Sequence, residues 1–145
     1  MGVGHELRGD DAFGPMVARQ LAANSPPTAL VLDTGSAPEN FTGVVRRHKP
    51  EVLLVLDAAD FGGRVGELRL LKAEAVSTGG FFTHAASLRL LFDYLRAECG
   101  TEGVVLAVQA GTVEFSGPMS TPVAEAAGRA AALLTRALAE RSGRA

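Results

Sequence analysis

The chain has 145 residues, 47% of them hydrophobic, and a formal net charge of −2. That is enough for one domain with a buried core, residues 1–145, and it gives no electrostatic basis for a nucleic-acid or membrane partner. No apolar run approaches the roughly 20 residues of a membrane span, no stretch reads as a signal peptide, and the single Cys99 fits a reducing cytoplasm. A cytoplasmic monomer is the expectation.

The opening stretch Gly2–Gly14 packs four glycines and the adjacent carboxylates Asp10 and Asp11 ahead of an amphipathic run. Glycines at that density let a backbone turn sharply and lie close to something else. The acids fall where the partial positive charge of a helix N-terminus stabilises an anion. Phe13, Met16, Val17 and Leu21 predict a helix over about 12–23, stopped by Asn24 and Pro26-Pro27. Ala29–Asp33 reads as a short buried strand ending in a carboxylate. A weak helix over about 39–47 follows.

Val52–Asp57 is an unbroken apolar run and predicts a strand buried on both faces, as in a parallel sheet covered by helices. Gly62, Gly63 and Gly66 mark a turn, and Glu67–Leu71 alternates like a strand with one wetter face. Ser77–Thr83 reads as a loop with two exposed-looking aromatics, Phe81 and Phe82. Helix over 85–98, strand over 103–109 and a loop over 110–120 come next. Thr121-Pro122 looks like a cap with proline at the first helical position, opening an alanine-rich helix that runs to about Arg141 with Gly143 past its end. Alternating strands and helices imply an α/β domain, a three-layer αβα with a twisted, mostly parallel sheet of about five strands. Such a domain calls for an apolar strand feeding into the glycine loop. Here that strand is either a truncated stub around Val3 or lies upstream of the sequence given, and a stub would leave neighbouring backbone groups unpaired.

Asp11, Asp57 and His84 each end or precede a core element, and loops at the carboxyl ends of strands are where open α/β sheets build sites. Two carboxylates and one imidazole suit a transition metal with coordination positions left open. Sequence spacing does not by itself bring the three together. Asp10 and Asp11 also suit helix capping, Asp33 and Asp57 suit strand-end hydrogen bonding, and His84 suits a cap or the core. His5 and His48 read as solvated, with His5 near enough to the loop to add a fourth contact. Gly2-Val3-Gly4 starts like a dinucleotide fingerprint but lacks the third glycine.

Several segments, in order, resemble the hydrogenase maturation endopeptidases, which process the large subunit of [NiFe] hydrogenases. They are Gly2-Val3-Gly4, Arg8-Gly9-Asp10-Asp11-Ala12-Phe13-Gly14, Asp33–Asn40, Asp57-Ala58-Ala59-Asp60, Thr83-His84, Val108-Gln109 and Pro118–Pro122. The Ala37–Asn40 and Pro118-Met119 strings resemble the hydrogenase 3-type branch. The resemblance implies a phosphorylase/hydrolase-like fold and a protease of aspartic or metal-assisted type. Its implied reaction is removal of a C-terminal extension from the large-subunit precursor. The family's metal-contacting and catalytic positions fall on Asp11, Asp57 and His84. The implied metal is nickel carried by the precursor, with no organic cofactor. His5 stands where the family usually has asparagine. Phe81, Phe82 and Phe115 fall in loops that flank the site and could contact the precursor, with core packing the expectation for all three. Rival classes are a non-catalytic nickel-sensing or docking module for the same subunit and a small nucleotide-binding domain.

Overall fold

The apolar run at Val52 becomes the strand that carries the site. In the computed structural model, which describes residues 1–76 and 82–144, the strands are β1 (Val52–Ala59), β2 (Leu68–Lys72) and β3 (Glu102–Gln109). β3 lies in the middle, parallel to β1 and antiparallel to β2. Val55, Leu56, Val105 and Ala107 are buried, as an apolar run covered on both faces requires. β2 is an edge strand with Leu70 exposed, matching its alternating sequence.

The expected sheet of about five strands is instead this three-stranded ladder plus two segments joined by single bridges. Gly2 bridges Leu56 on one side and Asp33 on the other, both in parallel. Its backbone accepts from Thr34 N and donates to Leu32 O, while Val3 N donates to Leu56 O. Ala29–Asp33 is therefore extended beside the ladder but not a regular strand, because Met1–Val3 supplies partners only as far as Leu32. Beyond that point an apolar slot of about 480 Å³ separates Leu30–Leu32 from Val52–Leu54, with Leu134 and Leu138 on its wall.

Helices cover both faces and make the three layers. On one side α1 (Phe13–Ala22) and α4 (Thr121–Arg144) bury Phe13, Val17, Val123 and Ala127 against Leu56 and Val108. On the other, α2 (Thr42–His48) and α3 (Ala85–Cys99) bury Val45, Leu88, Leu91 and Leu95 against Val55 and Val105. Helix α3 stops at Gly100, whose φ of 69° suits glycine. The last helix runs through Gly143 to Arg144 rather than stopping near Arg141. Interior glycine costs a helix only about 1 kcal/mol, too little to end it. Among the described residues no helix is long and apolar enough to cross a membrane.

The closest packing lies where the opening segment crosses α1. A Cβ on Gly14 would stand 2.2 Å from Val3 O and 2.3 Å from Leu56 O, and one on Gly2 would stand 2.2 Å from Gly14 O. The two glycines let helix and sheet backbones touch, which seats the first turn of α1 over the end of β1. Substituting Gly14→Ala should therefore force the helix off the sheet. We expect a loss of roughly 2–3 kcal/mol, read as a fall in melting temperature of about 5–10 °C by circular dichroism. A melting temperature within 1 °C of wild type (roughly the scatter of such a scan) would contradict this account.

Candidate active site

Three elements deliver one side chain each to a single point. Asp57 lies near the C-terminal end of β1 and is fully buried. Asp11 belongs to a 3-10 turn, Gly9–Ala12, that leads into α1, and it too is buried. His84 immediately precedes α3 and makes no side-chain capping bond. A single antiparallel bridge between Ala59 and Phe82 brings the Thr83-His84 segment to the end of β1. Phe82 is thereby buried, its backbone joined to the sheet and its ring in the core, which bears out core packing for a residue whose loop setting looked exposed. Phe81 lies outside the described residues.

One ligand atom from each of Asp11, Asp57 and His84 falls within 4.8 Å of the others. Asp57 Oδ1 is 3.5 Å from His84 Nδ1, close enough for an ion pair but without the geometry of a hydrogen bond. Asp11 Oδ1, both carboxylate oxygens of Asp57 and His84 Nδ1 are buried with no hydrogen-bond partner. Buried oxygen and nitrogen atoms are almost always paired in a folded protein, so four orphans facing one another are the mark of a site built for something absent from the chain itself. Two carboxylates and an imidazole are the donor set of a borderline transition-metal ion. The residue types, their burial and their mutual approach are compatible with such an ion.

The family model described as hydrogenase maturation protease matches residues 15–137. The match includes Asp57 and His84 and begins four residues after Asp11 (15 − 11). The hydrogenase 3 maturation protease of Escherichia coli is 36% identical over 125 residues, covering 86% of this chain and 80% of that protein. The crystal structure of the [NiFe] hydrogenase maturation protease HycI from Thermococcus kodakarensis superposes with a TM-score of 0.83 at 33% identity, covering 94% of this chain and 88% of that one. A solution structure of the endopeptidase HycI from E. coli gives a TM-score of 0.79 at 32% identity, covering 90% and 83%. The chain belongs to the hydrogenase maturation protease family. It is an endopeptidase of hydrogenase maturation.

In this family member the neighbouring Asp10 has a different task from Asp11, and not the capping role its position suggested. Its buried carboxylate accepts from Gly111 N at 2.7 Å, Thr112 N at 3.1 Å, Ser120 N at 2.7 Å and Ser120 Oγ at 3.0 Å. Asp10 N donates in turn to Thr112 O. The loop after β3 is thus tied to the opening turn that carries Asp11. Gln109 does similar work beyond β1, accepting from Phe61 N and Gly63 N and donating to Asp60. Neither role was legible from spacing, since the partners lie about a hundred residues away from Asp10 and about fifty from Gln109. His5 contributes its backbone, donating to Asp11 Oδ2 at 2.9 Å, while its ring accepts from Leu7 N and packs edge-on to Phe115. His48 is exposed, as expected of it, and Asp33 sits at the rim, paired with Arg19.

Electrostatics follow from this burial. Desolvation pushes the Asp57 carboxyl up to about 6, against the favourable pull of His84 and with help from the Asp11 charge. Burial would lower His84, but the facing Asp57 and the charges of Asp11 and Glu39 outweigh it and leave its imidazole raised. Both shifts have the same sign for stability. An acid titrating at about 6 when folded and 3.8 when unfolded carries no penalty at low pH and its full penalty above about 6. A raised histidine likewise contributes below its unfolded value of 6.5 and loses that contribution as pH rises through the folded one.

Replacing Asp57→Asn should accordingly stabilise the protein at pH 8 by on the order of 2–3 kcal/mol, with wild type and variant converging toward pH 4. Urea unfolding at pH 4, 6 and 8 measures this, and a variant less stable than wild type at pH 8 would refute it. Replacing Asp10→Ala leaves three backbone donors without their acceptor and should cost about 3 kcal/mol at neutral pH, by the same measurement.

Proposed function

We propose that this endopeptidase removes the C-terminal extension of a nickel-loaded [NiFe] hydrogenase large-subunit precursor, reading the precursor's nickel through Asp11, Asp57 and His84. The reading rests above all on the four buried, unpartnered ligand atoms that converge at the end of β1. None of those atoms is hydrogen-bonded to another of the trio, which leaves all four available to a further partner. Here they wait for a partner, and a metal presented by the substrate supplies it. The relatives named above as hydrogenase maturation proteases support the substrate class.

Chemically, the trio orients the precursor so that the scissile peptide lies against the cluster. The carboxylates neutralise the cation and His84 completes the contact from the opposite element. Asp57, buried at the end of β1 with neither oxygen hydrogen-bonded, is placed to accept a proton from an attacking water. Asp11, with Oδ2 held by the His5 backbone and Oδ1 free, keeps one oxygen directed at the cluster. The metal's contribution when present is polarisation of a carbonyl or a water. This makes the hydrolysis metal-assisted, with aspartate as base.

Mixing the protein with precursor subunit, with and without nickel, and following the subunit by mass spectrometry tests the reading. Loss of a C-terminal fragment from the nickel-loaded form only is expected, with the rate falling at least a hundredfold in the Asp57→Asn variant. Binding without cleavage would instead favour a docking module. Unchanged cleavage by the variant would remove Asp57 from the mechanism. Nickel salt alone should also raise the melting temperature of wild type by several degrees near saturation, and that of Asp57→Asn by much less.

A further inference from the structure

Large apolar side chains are exposed on the loops that rim the trio. Leu7 is 54% exposed, Val113 36% and Phe115 67%. They form one surface: Ser116 N donates to Leu7 O at 2.7 Å, Arg8 Nε donates to Val113 O, and the Phe115 ring lies 6.2 Å from that of His5. Core packing, the expectation for Phe115, is contradicted by its exposure. The backbone beneath is firm. Asp10 fixes both ends of the loop, and Ser116 is held at a φ of 61°, a left-handed conformation that a serine keeps only when its surroundings impose it.

Connection to the site is direct on two sides. His5 contacts Asp11 through its amide and Phe115 through its ring. In addition, a cleft of about 250 Å³ is lined by Ala58, Asp60, Phe82, Thr83, Thr112 and Val113. It therefore begins at the immediate neighbours of Asp57 and His84 and ends at the apolar surface. A peptide lying across the trio in extended form would run along such walls, and three to five extended residues span roughly 10–17 Å.

We propose that Leu7, Val113 and Phe115 are the docking surface for an apolar stretch of the precursor's C-terminal extension, reached from the scissile bond through this cleft. The inference rests on the proposed cleavage reading for the identity of its partner. An exposed aromatic on a backbone-tethered loop beside a polar site suits the anchoring of a peptide whose main chain must be held still for hydrolysis. The extension contributes the apolar residues, and the nickel centre contributes the charge.

Binding is measured with nickel-loaded precursor and with the tail-less mature subunit, on an Asp57→Asn background so that affinity does not depend on cleavage. Adding Phe115→Ser should weaken precursor binding about tenfold, and Leu7→Ser with Phe115→Ser further, while mature subunit binds both backgrounds alike. In processing by otherwise wild-type enzyme, Phe115→Ser should raise KM about tenfold with a smaller change in kcat. Both residues are exposed, and matching melting curves confirm folding. Equal precursor affinity with and without Phe115→Ser overturns the proposal, even if wild type cleaves normally. Conversely, patch-dependent binding of the tail by a wild type that does not cleave sustains the docking surface and refutes the cleavage reading.

Discussion

The constraint on which the site turns is the burial of Asp57 with neither oxygen hydrogen-bonded. A carboxylate in that position destabilises the fold at neutral pH, and its raised titration point is the measure of that penalty. The sheet tolerates it because β1 is anchored elsewhere. Its parallel ladder with β3 runs from Val52 to Ala59, and buried residues from both helical layers clamp its faces. Asp57 sits near the end of that ladder, where the pairing is complete but the side chain has only the site to face.

Delivering Asp11 to the same point needs a backbone approach that ordinary residues forbid. Gly2 and Gly14 permit contact between the opening segment and α1, and Gly4, with a φ of 144°, turns the chain where a Cβ would meet Asp11 O. Asp10 then locks the turn to the loop after β3 through its four accepted hydrogen bonds. Two adjacent acids thus divide the labour. Asp10 is satisfied by backbone and holds the scaffold, whereas Asp11 keeps one oxygen unpaired. The same loop that Asp10 secures carries Phe115 to the rim, so the geometry of the trio and that of the apolar surface depend on one anchor.

Much of the fold could be read from local pattern. The runs at Val52 and Gly103 and the amphipathic segments at Phe13 and Leu88 announce elements whose period matches their burial. Strand-end logic and the family resemblance both pointed to Asp11, Asp57 and His84, and the structure brings one ligand atom of each within 4.8 Å of the others. What escaped has a common physical origin. Ala29–Asp33 has strand composition but finds backbone partners only at one end, and no local pattern reveals how many partners a segment will have. Phe82 was expected to pack in the core, but the bridge to Ala59 that draws it inward has no local signal. Asp10 and Gln109 act on groups far away in the chain, and their roles became visible only in three dimensions.

An unsatisfied site also gives a physical route to selectivity. Without a cation, burial and the neighbouring Asp11 charge disfavour the ionised form of Asp57, and the facing His84 only partly offsets that cost. On the proposed reading, a divalent ion arriving with the substrate would relieve that cost by favouring the ionised carboxylates. Precursor lacking metal would offer no such relief, and its approach would bury the acids further with no compensating charge. Discrimination would then come from the cost of leaving Asp11 and Asp57 unpaired beneath a neutral substrate, in addition to any attraction to the loaded one. The same orphaned oxygens that weaken the fold are what would let the enzyme distinguish a finished metal centre from an empty one.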